Sequence, residues 1–318
     1  MTFRKAQTCS NALLIRPVNF GPNAQTAETN RFQRGSTEAL AGSLQISARG
    51  EFDALVSALE QAGVQVHVFE DTPEPHTPDS IFPNNWVSFH ADGSVVLYPM
   101  LAPNRRDERR SDVLEALSVR DGFRVSRVVD LTHHERDNKF LEGTGSLVLD
   151  RVNRLAYACV SPRTDLDVLG EFAQVLDYDV VSFEALDASG TPIYHTNVVL
   201  SVGSRLAVVC GASIREHERA GVLDTLKGTG HIVIDVSVEQ MQAFACNVLE
   251  LKSTSGNSVL AMSQRALESF TPEQQRLLRD HIDTIVAVPI PTIEHLGGGS
   301  VRCMIAEVAL PRKSGVTG

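Results

Sequence analysis

None of the five cysteines, at positions 9, 159, 210, 246 and 303, stands in a C-x-x-C pair or at any other metal-ligand spacing. Their odd number suits a reducing compartment better than a disulfide framework, so a cytoplasmic protein is expected. Long apolar runs are missing as well. No stretch approaches the ~18 apolar residues of a spanning helix, and the run after the first eight residues is too short for the central region of a signal peptide. Membrane insertion and secretion are therefore not expected. Positive charge is also scarce, 29 Lys and Arg standing against 39 Asp and Glu for a net charge of -10. Such a surface repels a phosphate backbone. The cluster Arg105, Arg106, Arg109 and Arg110 is diluted by Asp107 and Glu108, so nucleic acid is a poor partner and a small molecule a better one.

What the chain has is an ordinary globular composition and a recurring pattern. Its 318 residues, 42% hydrophobic and 21% charged, can bury a large core in one or two domains. A strand at residues 12–18 leads into a polar loop at 19–33, a helical pattern over 47–61 and a strand at 64–69. Three prolines between 71 and 78 mark an irregular loop, which runs into Asp79-Ser80-Ile81-Phe82-Pro83-Asn84-Asn85-Trp86. A hairpin follows, closed at residues 91–94. Further hairpins read at 145–160, 198–210 and 248–262, each succeeded by a helical pattern (165–176, 214–221, 272–283) and a short strand (180–183, 232–236, 284–288).

Polar residues enter these hairpins at similar phase: Asp79, Glu142, His195, Asn247 and Cys303, at intervals of roughly 55 residues. Five ββαβ units fill the chain if a strand at 301–310 pairs with that at 12–18. Such closure makes a ring with one continuous core, so residues 1–318 read as a single α/β domain. A ring would also bring the five entrance residues to one face of its channel.

Cys303 follows Gly297-Gly298-Gly299 and precedes an apolar alternation at Met304, Ala306 and Val308. The glycines allow close approach to a ligand and positive φ, and the alternation reads as a half-buried strand. In isolation such a cysteine is an ordinary core residue. Its place in the repeat, shared with His195, suggests a thiol paired with the imidazole it needs for nucleophilicity. Glu142 would orient His195. His133-His134-Glu135 reads as a solvated loop, and no metal or other cofactor is expected.

The order Asp, Glu, His, Cys, with Phe140-Leu141-Glu142-Gly143, Tyr194-His195-Thr196-Asn197 and the Gly-rich approach to Cys303, resembles the guanidine-modifying superfamily of arginine deiminases, dimethylarginine dimethylaminohydrolases and amidinotransferases. Arg16-Pro17-Val18-Asn19-Phe20-Gly21 and Phe82-Pro83-Asn84-Asn85-Trp86-Val87-Ser88 are most similar to its bacterial citrulline-utilisation hydrolases. The resemblance implies a five-bladed α/β propeller, or pentein, with its site in the central channel. It makes Cys303 the nucleophile, His195 the general acid/base and Glu142 its partner. Asp79, Phe82, Asn84, Asn85 and Asn197 become substrate-binding residues, with Arg163 and one of Arg105 and Arg106 on the substrate carboxylate.

Arginine deiminases carry Asp where this chain has Asn85 and Asn197. The amides suit a neutral ureido group better than a guanidinium, although Asp79 could still serve a guanidinium edge. The expected function is a citrulline hydrolase giving ornithine, CO2 and ammonia. An arginine deiminase or dimethylaminohydrolase is the alternative, and a non-catalytic propeller the alternative of another class. The sequence leaves room for a homo-oligomer.

Overall fold

In the computed structural model, residues 6–30, 32–33 and 41–313 are described. They form five three-stranded sheets, each with a central strand that pairs antiparallel with one neighbour and parallel with the other. In one sheet Leu147–Asp150 runs antiparallel to Leu155–Cys159, which pairs in parallel with Asp179–Phe183. Val87–Phe89, Ser94–Leu97 and Arg127–Asp130 repeat the arrangement, as do Leu200–Val202, Leu206–Val209 and Ile232–Asp235. A fourth set is Leu249–Lys252, Ser258–Ser263 and Thr284–Val288.

The fifth sheet joins the two ends of the chain. Ala306–Glu307 lies antiparallel to Asn11–Arg16, which pairs in parallel with Gln65–Glu70. This is the expected pairing of the two ends, although the final strand is two residues long, and the buried residues fall into four clusters instead of one continuous core. Residues 301–304 form a turn instead of the expected strand. Val301, Met304 and Ile305 are all buried, so there is no solvent-facing side for an alternation to follow.

Each parallel pair needs a crossover, and a helix supplies it. Ala41–Gln61, Ser111–Val119, Leu166–Leu176, Glu216–Gly228 and Pro272–His281 take this role. Leu166–Leu176 forms because Asp165 accepts from the amides of Asp167 and Val168, and because Val168, Leu169, Phe172 and Leu176 make one buried stripe. Pro272–His281 starts with a capping box between Thr271 and Gln274. Thr271→Ala should cost about 1 kcal/mol, read as a lower urea midpoint.

First strands of neighbouring sheets pack side by side: Ala306–Glu307 with Val87–Phe89, and Leu200–Val202 with both Leu147–Asp150 and Leu249–Lys252. Gln7 ties two of them, its amide donating to the carbonyls of Leu149 at 2.8 Å and Val202 at 3.0 Å.

The entrances to the first strands differ from expectation in a way that matters for the site. A tight helical turn precedes each one: Pro83–Asn85, Gly143–Ser146, Thr196–Val199, the turn at 243–246 and that at 301–304. The hairpin strands expected from residues 145 and 198 therefore begin at Leu147 and Leu200. Among the described residues no helix is long and apolar enough to cross a membrane.

Candidate active site

Asn85 and Cys303, from two of the five turns, line one pocket with Asp79, Phe82, Arg105, Arg163 and His195, the last directly preceding a third turn. Cys303 sits inside its turn, its amide bonded to the carbonyl of Ser300 at 2.9 Å. The side-chain amides of Asn197 and Asn247 donate toward its Sγ from 3.6 and 3.4 Å. Asn247 also donates to the carbonyl of Asn197 at 3.0 Å. Thus two neutral amides flank the thiol. Asn247 was legible as the fourth member of the repeat, but nothing in its neighbours suggested contact with sulfur.

His195 Nε2 lies 2.8 Å from Oε2 of Glu142, a fully buried carboxylate. Glu142 is saturated: Oε1 accepts from the amide of Leu101 at 3.1 Å, and Oε2 also accepts from Arg163 at 3.3 Å. Burial pushes the Glu142 carboxyl upward, but Arg163, the His195 hydrogen bond and Arg105 outweigh it and hold the group below the usual range. Burial pulls the His195 imidazole down against the raising influence of Glu142. The resting pair is a carboxylate and a neutral imidazole able to take a thiol proton.

These shifts give stability a definite pH dependence. His195 and, remote from the pocket, His90, which burial lowers to about 3, both bind protons more readily in the unfolded chain. Their contribution is complete above the unfolded imidazole pKa of about 6.5 and is lost as pH falls below it. Glu142, depressed in the fold, acts in the same sense below about pH 4. Glu108, whose carboxyl burial pushes up to about 8, acts in the opposite sense, its contribution being lost as pH rises through that value. Relative to wild type, His90→Gln should therefore lose less of its urea midpoint between pH 7 and pH 5, and an equal loss would contradict the buried neutral imidazole.

Opposite the thiol, Arg105 is buried and clamped by Glu108, with Nε at 2.8 Å from Oε1 and Nη2 at 2.9 Å from Oε2. Its Nη1 donates to Asn85 Oδ1 at 2.9 Å. Asp79 Oδ2 accepts from Asn23 at 2.8 Å, whereas Asp79 Oδ1 and Asn85 Nδ2 are buried with no protein partner. Arg163 lies over the Tyr194 ring at 4.8 Å and is held by Thr29, Thr26 and Glu142.

Two expected residues lie elsewhere. Arg106 turns toward the carbonyl of Met100 and Glu135 and does not line the pocket. Pro103–Arg106 is one helical turn, so adjacent side chains diverge. Asn84 is buried beside the pocket but is not part of its lining. Tyr194 and Asn30 do line it, with Glu108 behind Arg105, and the sequence marks none of the three as a site residue. Tyr194 donates to the carbonyl of Gly298 and Asn30 to that of Gly297, contacts with no local sequence signal.

Gly297, Gly298 and Gly299 all line the pocket, and they are also tightly packed there. A Cβ at Gly297 or Gly299 would meet the Phe82 ring at 2.8 or 2.9 Å, and only Gly298 has positive φ. Gly145 is the more exacting position: a Cβ there would lie 2.4 Å from Asn85 Nδ2 and 2.9 Å from His195 Nδ1. Gly145→Ala should displace both and lower kcat/KM about 100-fold. Unchanged kinetics would place neither group in the reaction.

The comparisons agree with this fold. A family model described as N,N dimethylarginine dimethylhydrolase, eukaryotic, matches residues 16–310. No curated protein sequence matches the chain. Among solved structures, an asparagine-to-serine variant of the N-terminal domain of ArgZ, covalently bonded to a reaction intermediate, is similar at TM-score 0.72 and 18% identity, covering 95% of this chain and 99% of that one. Full-length ArgZ, described as an arginine dihydrolase of the ornithine-ammonia cycle in Cyanobacteria, matches over 96% of this chain but 41% of its own, with TM-score 0.71 and 18% identity. A cysteine-to-serine mutant of the Pseudomonas aeruginosa dimethylarginine enzyme, complexed with citrulline, gives TM-score 0.62 and 14% identity over 94% of this chain and 99% of that one. With the family model spanning nearly all of the described fold, the chain belongs to the N,N dimethylarginine dimethylhydrolase family of the guanidine-modifying superfamily.

Proposed function

We propose that this protein is a cysteine-dependent hydrolase of a ureido amino acid, cleaving citrulline to ornithine, CO2 and ammonia. The observation that carries the reading is the orientation of the Asn85 amide. Arg105 has only N–H groups to offer, so Asn85 must turn Oδ1 toward it. Nδ2 is left as a buried donor without a partner, while Asp79 Oδ1 is a buried acceptor without one. Such orphans cost about 1–3 kcal/mol each until a ligand meets them. A ureido group has both the acceptor and the donors required. A guanidinium has donors alone and would leave Nδ2 unmatched.

Cys303 is the nucleophile in this reading, His195 the acid/base and Glu142 the group that orients it. Asn197 and Asn247 hold the reacting end, and Arg163 takes the substrate carboxylate. The five sheets are read as blades of a five-bladed α/β propeller, with residues 1–318 one catalytic domain working in the cytoplasm. Arginine or a methylated arginine is the second reading, favoured by the Asp79 carboxylate.

Assaying ornithine, citrulline and ammonia after incubation with citrulline, arginine, agmatine and methylated arginines separates the readings. Citrulline should be the preferred substrate, and Asn85→Asp with Asn197→Asp should lower kcat/KM for it by about 100-fold or more while improving arginine binding. A wild type that turns over arginine and ignores citrulline would sink the proposal.

A further inference from the structure

A second group of side chains lies outside the pocket. The turn Thr132–Asp137 presents His133 and His134 with their rings 4.2 Å apart and tilted by 32°. Both Nε2 atoms face one oxygen, Oε2 of Glu171, at 3.5 Å from His133 and 2.7 Å from His134. Glu171 comes from the outward face of Leu166–Leu176, whose buried stripe is formed by other residues. Glu135, which the sequence groups with the two histidines, is turned away: its Oε1 accepts from the amide of Met100 at 2.9 Å, and it pairs with Arg109. The third member of the group is therefore supplied by a distant helix.

We propose that His133, His134 and Glu171 form a binding site for one divalent first-row ion of the zinc class. The ligand-type atoms already lie within 4.8 Å of one another, so one ion can reach all three with small side-chain shifts. His133 Nδ1 lies 3.2 Å from the carbonyl of Asp130. A carbonyl only accepts, so this nitrogen carries the hydrogen and Nε2 keeps the lone pair a metal needs, the usual support for a ligating histidine. His134 must exchange its Nε2–H toward Glu171 for the ion, its single proton moving to Nδ1 through solvent. Two imidazoles and a carboxylate suit zinc, cobalt or nickel better than calcium or magnesium. His133 and Glu171 are partly exposed, so water can complete the coordination. The bound ion would pin the turn to the helix, alongside the ion pair of Lys139 and Asp167.

Zinc titration of the tag-free protein by calorimetry tests this, with cobalt as a spectroscopic probe. One ion should bind per chain. His133→Ala and Glu171→Gln should each weaken binding about 10-fold or more, and Cys303→Ser should leave it unchanged. Zinc should raise the melting temperature of wild type but not of the His133→Ala, His134→Ala double variant. The cobalt form should show visible d–d bands without a thiolate charge-transfer band. Turnover should be the same in wild type and His133→Ala. Equal zinc affinity in wild type and the double variant would overturn the proposal, as would a thiolate band that disappears in Cys303→Ser.

Discussion

Cys303→Ser should lower turnover by about four orders of magnitude or more, the scale on which losing a covalent nucleophile is felt, while the melting temperature stays near that of wild type. Serine is smaller than cysteine and can accept from the same Asn197 and Asn247 amides. The other cysteines make the contrast sharp. Burial pushes the thiols of Cys9 and Cys159 up to about 12, and those of Cys210 and Cys246 also upward. They remain protonated and inert at neutral pH. Serine at 159, 210 or 246 should leave kcat within a few-fold once folding is accounted for. If one of these abolished turnover with the fold intact, and Cys303→Ser did not, the nucleophile would be misassigned.

Glu142→Gln is expected to cost both rate and stability. The carboxylate is the common partner of His195, Arg163 and Arg105. An amide preserves its shape but leaves two buried guanidinium groups with less compensating charge, a loss of about 3 kcal/mol. Only one of the two oxygens remains an acceptor, so an NH2 must face either the Leu101 amide or the imidazole and Arg163, and with the orientation and tautomer of His195 no longer fixed kcat should drop by about three to four orders of magnitude. A purely structural role would move stability and leave the pH profile of the residual activity in place. Displacement of the imidazole limb of that profile is the signature of a positioning role.

The fivefold repeat was legible because each hairpin is a pair of short apolar runs bracketed by turn residues, a local signal. The joining of residues 306–307 to 11–16 followed from counting units. What the sequence concealed depends on contact between units. Gly143 holds φ of +47° with the carbonyl of Asn84 where a Cβ would stand, and a four-residue helical turn supported that way leaves no periodicity to read. The same holds for Cys303, whose turn at 301–304 reads as a strand in the sequence because apolar residues flank it. Arg105 and Arg106 are chemically alike and adjacent, so only the helical turn carrying them separates the pocket residue from its neighbour. Asn85 and Asn197 stood out by type, but the direction in which Asn85 presents its amide depends on Arg105, and that on Glu108.

The most direct measurement concerns what stays on the thiol. Attack of the Cys303 thiolate on the ureido carbon gives a tetrahedral intermediate that expels either ammonia or the side-chain amine, depending on which nitrogen His195 protonates. In the proposed route it is the inner nitrogen. Ornithine then leaves an S-carbamoyl enzyme, which water activated by His195 hydrolyses to carbamate and hence CO2 and ammonia. Rapid acid quench of the enzyme with citrulline labelled separately in the ureido carbon and in the ornithine carbons, followed by mass analysis of the Cys303 peptide, decides between the routes. An adduct carrying the ureido carbon and no ornithine carbons is the predicted result; an adduct retaining the whole amino-acid chain would contradict it.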